Sequence, residues 1–196
     1  MADFLVTQER YLETGMHIGT RTKNGSMRKF IYKVREDGLH VLDLKKTNER
    51  ILMASQLIAK YPVESFYVVG NKENAKRAIA KFCELVGCKP LAARFTPGRF
   101  TNPARVDFVE PRLVLVVDPA VDKQAVKEAF ETNTPLIAFC DTNNSLKYID
   151  MAIPANNKGR KSIALLFWLI AREVLKLQGK ISASEEFTAP IEDFEA

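Results

Sequence analysis

The side chains with the clearest chemical capacity lie in residues 94–105, which read RFTPGRFTNPAR. This segment contains three arginines, two phenylalanines, two threonines and an asparagine. Guanidinium groups form paired hydrogen bonds to phosphate oxygens, aromatic rings can stack on bases, and hydroxyl groups can contact phosphate. The segment offers no recognisable nucleophile or general base. Its composition therefore predicts binding to a polyanion rather than catalysis.

The segment also repeats a triplet across a turn. Arg94-Phe95-Thr96 recurs as Arg99-Phe100-Thr101, and Pro97-Gly98 between them is a turn sequence. We predict that this loop contacts nucleic acid through Arg94, Thr96, Arg99, Phe100, Thr101, Asn102 and Arg105. The alternative is an ordinary surface loop in which both phenylalanines pack into the core.

A second basic segment stands at the start of the last predicted helix. Lys158, Arg160 and Lys161 oppose the helix dipole there, at a cost of roughly 0.3 to 1 kcal/mol each. A bound phosphate would make this arrangement favourable, because it would pair with the cations and with the free amides of the first turn. We therefore predict contacts with nucleic acid from Asn157, Lys158, Arg160 and Lys161. A solvated helix start without a function is the alternative.

A third basic segment lies near the N-terminus, between residues 19 and 29. It carries Arg21, Lys23, Arg28 and Lys29 around the turn sequence Asn24-Gly25-Ser26. We interpret it as a flexible basic loop, and we predict that its four cations contact nucleic acid.

The charge distribution supports a polyanionic partner. The last sixteen residues hold five of the 24 acidic residues and no lysine or arginine, so the preceding body sets 29 cations against 19 acids, a formal charge of +10. No segment has about 18 uninterrupted apolar residues, as a membrane span needs. Nucleic acid is therefore favoured over a membrane, and we expect a cytoplasmic protein.

Short apolar runs indicate the fold class. Residues 66–69, 113–117 and 136–139 are apolar without alternation, which is typical of strands buried on both faces of a parallel sheet. Helical patterns separate the runs, so the sequence predicts an α/β fold with a doubly wound, flavodoxin-like parallel sheet. We expect about five strands, with weaker ones near 90–93 and 148–149.

Two further helices and the domain limits follow from the same patterns. A helix is predicted at about 48–60 after a Thr47 cap, and a largely buried one at 160–177. We divide the chain into three parts: an N-terminal helix and hairpin-like basic arm (1–46), the α/β domain (47–180), and an acidic, flexible tail (181–196).

Signatures of an enzyme are weak. The end of the first sheet strand reads Gly70-Asn71-Lys72, not a dinucleotide-binding glycine motif, and no phosphate-binding loop motif occurs. Asp118 and Asp141 follow neighbouring strands and could hold a hydrated Mg²⁺, but turn residues that cap backbone amides are the preferred interpretation. Three cysteines, Cys83, Cys88 and Cys140, lack paired metal-ligand spacing and are interpreted as reduced, buried thiols. We predict no catalytic residue, metal, cofactor or small-molecule substrate.

Five segments in order carry a resemblance to a known family: Gly15 to Thr20, Asp37 to Asp43, Arg94 to Pro103, Asp141 to Asn143, and Ile153 to Gly159. The chain resembles the archaeal and eukaryotic branch of the family of the second protein of the small ribosomal subunit. Pro103 is followed by the strand at Leu113 without the coiled-coil insertion of bacterial members, and the chain lacks the long acidic extension of eukaryotic members. The resemblance is therefore to the archaeal type.

The resemblance implies a structural role without catalysis. It implies binding to small-subunit ribosomal RNA and to neighbouring ribosomal proteins near the head and body junction, close to the mRNA exit. Two other hypotheses remain open at this point. One is a nucleotide- or Mg-dependent enzyme with Asp118 and Asp141 as ligands, and the other is a free-standing protein-binding module that uses the helix containing Trp168.

Overall fold

The structure, a computed structural model, describes residues 4–181, 187 and 189–195. Its helices and strands are, in chain order, α1 (Gln8–Glu13), β1 (Ile31–Val34), β2 (His40–Leu42), α2 (Leu44–Lys60), β3 (Phe66–Val69), α3 (Glu73–Val86), β4 (Lys89–Leu91), β5 (Leu113–Val116), α4 (Lys123–Glu131), β6 (Leu136–Cys140), β7 (Met151–Pro154) and α5 (Arg160–Leu177). Short 3-10 turns occur at Gly25–Phe30, Val63–Ser65 and Ile191–Phe194.

A five-stranded parallel sheet organises these elements in the order β4-β3-β5-β6-β7. Phe66 pairs with Leu113, and Val114 pairs with Leu136. The strands β3, β5 and β6 are buried at every position, as their uninterrupted apolar runs predict. The doubly wound α/β prediction is confirmed.

Alternate residues of the strands enter two separate hydrophobic cores. Val68, Leu115 and Ile137 point to one face of the sheet, which α2, α3 and α5 cover. Val69 and Val116 point to the other face, which is covered by α4, the N-terminal arm and the loop after β4. Residues Ser162–Ala171 of α5 are all buried, so this helix forms the centre of the first core.

Two boundaries differ from the sequence prediction. Helix α2 begins at Leu44 and not at residue 48, because the Asp43 carboxylate accepts a hydrogen bond from the Lys45 amide at 3.0 Å and caps the helix. The predicted cap Thr47 is buried and donates to the Pro154 carbonyl at 2.7 Å. The last strand lies at Met151–Pro154 rather than 148–149, since Tyr148 has φ of 66° and cannot extend a strand.

The N-terminal arm contains the predicted hairpin. Strands β1 and β2 pair in antiparallel fashion, and Gly38 has φ of 82° in the turn between them. Met27 and Phe30 are buried in the second core, which attaches the arm to the sheet. The division of the chain into an arm and a main domain stays a prediction.

The described part of the acidic tail packs against the first core. Phe194 is fully buried, and the turn at Ile191–Phe194 contacts α3 and α5. Trp168 donates from Nε1 to the Ala189 carbonyl at 2.7 Å, and its ring lies 5.5 Å from that of Phe187. Apolar residues spaced among the acidic ones make this packing possible, and the flexibility of the tail stays a prediction. Residues 182–186, 188 and 196 lie outside the described residues. Because the described part of the tail covers Trp168, this side chain is only 8% exposed and offers little surface to a protein partner.

We predict that Phe194→Ala lowers the free energy of unfolding by about 3 kcal/mol, since a buried phenylalanine is removed and a cavity remains. Urea denaturation followed by circular dichroism measures this change. Glu192→Ala, an exposed substitution in the same turn, is the control and should have little effect. Equal stabilities of the two variants would contradict the observed packing of the tail.

Candidate nucleic-acid interface

All three basic segments lie at the carboxyl edge of the parallel sheet. The loop at 94–105 follows β4, and Lys158 to Lys161 follow β7. The arm contacts the turn after β6, where the Asn24 amide donates to the Thr142 carbonyl at 2.8 Å and the Thr20 and Thr142 hydroxyls lie 2.9 Å apart. Carboxyl ends of parallel strands share one edge, so segments far apart in sequence meet there.

The arm and the start of α5 are held by the same turn after β6. Lys158 Nζ lies 3.3 Å from the Asp141 carboxylate and 3.5 Å from the Asn143 side-chain oxygen. Thr142, the residue between them, contacts the arm. The exposed cations of the arm, which are Arg21, Lys23, Arg28 and Lys29, are therefore attached to the same turn as those of α5.

A buried carboxylate that the sequence analysis missed holds the loop at 94–105. Glu128 on α4 is 1% exposed and accepts hydrogen bonds from the amides of Gly98 at 2.6 Å and Phe100 at 3.0 Å. The Gln124 side chain donates to the same carboxylate at 2.7 Å. The available signal was its position three residues after Ala125, on the apolar face of the helix. The Pro97-Gly98 turn is thus fixed to the body of the fold.

The phenylalanines of the loop are part of the core. Phe95 and Phe100 are 7% and 2% exposed, and their ring centroids lie 4.8 Å apart in an edge-to-face arrangement. Phe100 cannot stack on a base from this position, so the prediction that it contacts nucleic acid is wrong. The alternative, that both rings secure the loop, agrees with their burial.

Two further loop residues are joined within the loop. Arg105 donates to both carboxylate oxygens of Asp107, at 2.7 and 3.2 Å, and the Thr96 hydroxyl donates to Asp107 at 3.0 Å. The hydrogen bonds from Arg105, and then that from Thr96, lower the pKa of Asp107 to about 2. This pair shapes the loop and leaves Arg105 only partly available to a partner.

Arg94, Thr101 and Asn102 are exposed in the same loop. Arg99 is partly buried, and its Nε atom is buried without a hydrogen-bond partner in the described part of the chain. Within the described residues, no carboxylate forms an ion pair with Arg94 or Arg99, whereas Arg105 pairs with Asp107. Arg94 and Arg99 are the cations of this loop best placed for phosphate.

Asn157 is a structural residue and not a contact residue. It is fully buried, and its amide nitrogen donates to the Phe139 carbonyl at 3.0 Å and to the Asn144 side-chain oxygen at 3.1 Å. Lys72 also donates to the Asn157 carbonyl at 2.9 Å. The prediction that Asn157 touches nucleic acid is wrong, because its side chain connects β6 to the start of α5.

The start of α5 keeps its cations facing outward. Gly159 is the N-cap and supplies no side chain, and the first turn contains no acidic residue. Asn156 accepts from the amides of Lys158 at 3.0 Å and Gly159 at 3.2 Å, while Arg160 donates to the Asn74 side chain at 3.3 Å. Lys158, Arg160 and Lys161 are exposed.

The crevice between β3 and β5, where doubly wound sheets usually bind ligands, contains an internal ion pair. Lys72 pairs with Asp118 across it. Asp118 also accepts from the Ala120 amide at 2.9 Å, and Asp141 accepts from the Thr142 amide at 2.6 Å, as turn residues do. No group of three acidic, cysteine or histidine side chains that could hold a metal ion occurs among the described residues.

Comparison with known proteins identifies the family. A family model described as ribosomal protein S2 matches residues 11–109 and 107–176. Relatives called small ribosomal subunit protein uS2 from Thermofilum pendens, Picrophilus torridus and Thermoplasma acidophilum are 50%, 44% and 42% identical to the chain. The alignments cover 98%, 98% and 99% of the chain, and 90%, 96% and 98% of the relatives. The chain belongs to the ribosomal protein S2 family.

Membership of the S2 family confirms the resemblance and its archaeal type, since these relatives are all archaeal. Because the family is structural, the prediction that the chain is not an enzyme is confirmed. The two matched segments overlap at residues 107–109, just beyond the basic loop. Within the described residues, no helix is both long and apolar enough to cross a membrane.

We predict that Glu128→Ala lowers the free energy of unfolding by about 2 to 4 kcal/mol, because two amides of the loop are left without an acceptor in a buried site. The amides of Gly98 and Phe100 should also exchange hydrogen faster, as mass spectrometry can measure. Glu131→Ala, an exposed change on the same helix, is the matched control. Unaltered exchange at both amides would exclude the anchoring role.

A pH dependence is predicted for Asp122, which accepts from the Asn71 amide at 3.3 Å. Burial raises the pKa of Asp122 from 3.8 to about 6, so folding takes up a proton between these values and stability falls as the pH rises through them. Asp122→Asn should therefore raise the free energy of unfolding by roughly 2 kcal/mol at pH 7, with a smaller gain near pH 4. Thermal unfolding at both pH values tests this, and a lower stability at pH 7 would contradict it.

Proposed function

We propose that this chain is a structural constituent of the small subunit of the cytoplasmic ribosome and binds small-subunit ribosomal RNA through the carboxyl edge of its sheet. The observation that carries the proposal is the convergence of three basic segments at this edge, on a chain similar over nearly its whole length to small ribosomal subunit proteins. Such a role requires no catalytic site in the crevice between β3 and β5.

The proposed contacts are made mainly with phosphate. The side chains that would neutralise phosphates are Arg21, Lys23, Arg28, Lys29, Arg94, Arg99, Lys158, Arg160 and Lys161, with Arg105 contributing part of its guanidinium group. Thr101 and Asn102 are exposed and can add neutral hydrogen bonds, and Thr96 is half-buried beside them. Because these groups match no base pattern, recognition should follow the shape of folded RNA more than its base edges.

The start of α5 adds backbone donors to this surface. The first amides of a helix are without intrahelical partners and carry the positive end of the dipole. With Lys158, Arg160 and Lys161 around them, a phosphate can take hydrogen bonds and ion pairs at the same place. This arrangement supports a phosphate contact at residues 158–161.

We also propose contacts with neighbouring ribosomal proteins, near the head and body junction and the mRNA exit. Three apolar side chains on α1 and β1 support a protein contact: Leu12, Tyr32 and Val34 are 51%, 71% and 53% exposed. Leu12 and Tyr32 line the same surface cavity, and Val34 lies two residues beyond Tyr32 in β1. Exposed apolar side chains grouped in this way are typical of surfaces that a partner covers.

Sedimentation of the purified chain with small ribosomal subunits depleted of it tests the function as a whole. We expect the chain to move with the subunits, and not with large subunits, in a sucrose gradient at physiological salt. The proposed role would be excluded if the chain does not enter the depleted subunits although circular dichroism shows that it is folded.

We predict that Arg94→Ala with Arg99→Ala weakens binding to small-subunit ribosomal RNA and lowers the salt dependence. Each phosphate that is no longer neutralised should reduce the slope of log K against log salt by roughly 0.7 to 0.9. Filter binding over a range of KCl concentrations measures the slope. The matched control is Lys60→Ala with Lys180→Ala, which removes the same charge at the opposite edge of the sheet, where α2 and α5 end. Equal slopes for the two double variants would contradict the proposed role of the loop.

At the start of α5, we predict that one substitution stabilises the free protein and weakens its binding to RNA. Lys161→Glu should raise the melting temperature of the free protein by roughly 1 to 4 °C, because a carboxylate suits the positive end of the helix. The same change should weaken binding to the RNA, since it repels phosphate. A lower melting temperature would show that Lys161 already has a favourable partner, and unchanged binding would place Lys161 outside the interface.

A further inference from the structure

We propose that Cys83 and Cys88 form a disulfide when the protein meets a low-molecular-weight disulfide, and that this bond ties the end of α3 to the start of β4. The pair lies outside the basic surface and does not depend on RNA binding. It differs from the sequence interpretation, in which all three cysteines are reduced, buried thiols.

The two sulfur atoms are already in contact. Cys83 Sγ and Cys88 Sγ lie 3.1 Å apart, so a movement of roughly 1 Å separates them from the bond length of a disulfide. Gly87, with φ of 91°, ends α3 in the left-handed conformation and turns the chain back so that Cys88 approaches Cys83. Both side chains are buried, at 4% and 6% exposure. Cys140, at the end of β6, is buried apart from them.

The bond would act on the edge strand of the sheet. Strand β4 is three residues long and lies at one edge of the sheet, where it pairs with β3 through Tyr67–Lys89, Val68–Pro90 and Val69–Leu91. Cys88 directly precedes this strand, and the basic loop at 94–105 begins three residues after its end. A covalent tie at Cys88 therefore restrains the segment that leads into the loop and removes freedom from the unfolded chain.

The chemistry is a thiol–disulfide exchange with the added disulfide as oxidant. The thiolate of one cysteine attacks a sulfur of the reagent, forms a mixed disulfide and releases one reagent thiolate. The second cysteine gives up its proton, attacks the first cysteine's sulfur, and releases the other reagent thiolate as the S–S bond forms. Two cysteine thiols give up two protons and two electrons, and one reagent disulfide becomes two thiols.

The environment of the pair should limit the rate of exchange in the folded protein. The hydrogen bond from Cys88, and then burial, raise the pKa of Cys83, so this thiol is seldom ionised at neutral pH. Cys88 lies in the turn beyond the helix, and its side chain is buried as well. Exchange with the folded protein should be slow at pH 7 and faster at higher pH.

The test exposes the reduced protein to oxidised glutathione in two ways: once while folded, and once during refolding from urea, when burial does not limit access. Free thiols are then alkylated, and the protein is cut after glutamate. Cleavage after Glu84 separates the two cysteines, so a disulfide keeps the two fragments joined until reduction. We expect joined fragments lighter by two hydrogens, with Cys140 alkylated as the internal control.

Thermal unfolding tests the effect on the fold. The oxidised protein should melt higher than the reduced one by roughly 4 to 8 °C, as for a short closed loop in a chain of this size. Cys83→Ser and Cys88→Ser proteins taken through the same treatment should show no rise. The proposal is overturned if both cysteines are alkylated in the folded and the refolded sample, if they carry glutathione instead of each other, or if the bond forms and the melting temperature does not rise.

Discussion

Parallel strand pairing is the constraint on which the rest of this structure depends. It forces every strand to end at the same edge of the sheet, so the segments that follow β4, β6 and β7 meet although they are far apart in sequence. Burial of the strands on both faces fixes this arrangement, because a shift of one strand would expose apolar side chains from two cores. The basic surface is thus a consequence of topology, and each segment needs only a local attachment to reach it.

Those attachments are buried polar groups. Glu128 holds the basic loop, Asn157 holds the start of α5, and Thr142 joins the arm to the turn after β6. Each lies beneath the exposed cations and makes hydrogen bonds that water cannot replace in the folded protein. The outer residues are therefore free to face a partner, while the residues beneath them hold the backbone in place. A buried group left without its partner is costly, so this layer should tolerate substitution less than the surface does.

The sequence predicted the elements whose pattern depends on local contacts. Strands β3 and β6 begin at the predicted residues, and α5 has the predicted limits, since these apolar patterns need no tertiary information. The errors at Phe100, Asn157 and Thr47 have one cause. Each of these residue types can either face a partner at the surface or pack and form hydrogen bonds in the interior. Only the packing of a segment distant in sequence decides between the two. Glu128 was missed for the same reason, because the Gly98 amide that it binds lies thirty residues away in the chain.

The carboxyl edge also shows how a fold common among nucleotide-using enzymes can serve binding alone. In the crevice between β3 and β5, Lys72 and Asp118 neutralise each other, and Asp122 accepts from a backbone amide, so the charges that could act on a small ligand are already occupied. The start of α5 is more exposed, although Lys158 pairs there with Asp141 of the turn after β6. Three cations remain exposed where the helix dipole disfavours them, and no acidic residue of the first turn offsets them. A chain shaped only for stability would place a carboxylate there. The cost is offset when an anion binds from outside, so this unfavourable helix start is itself an argument for a phosphate-bearing partner.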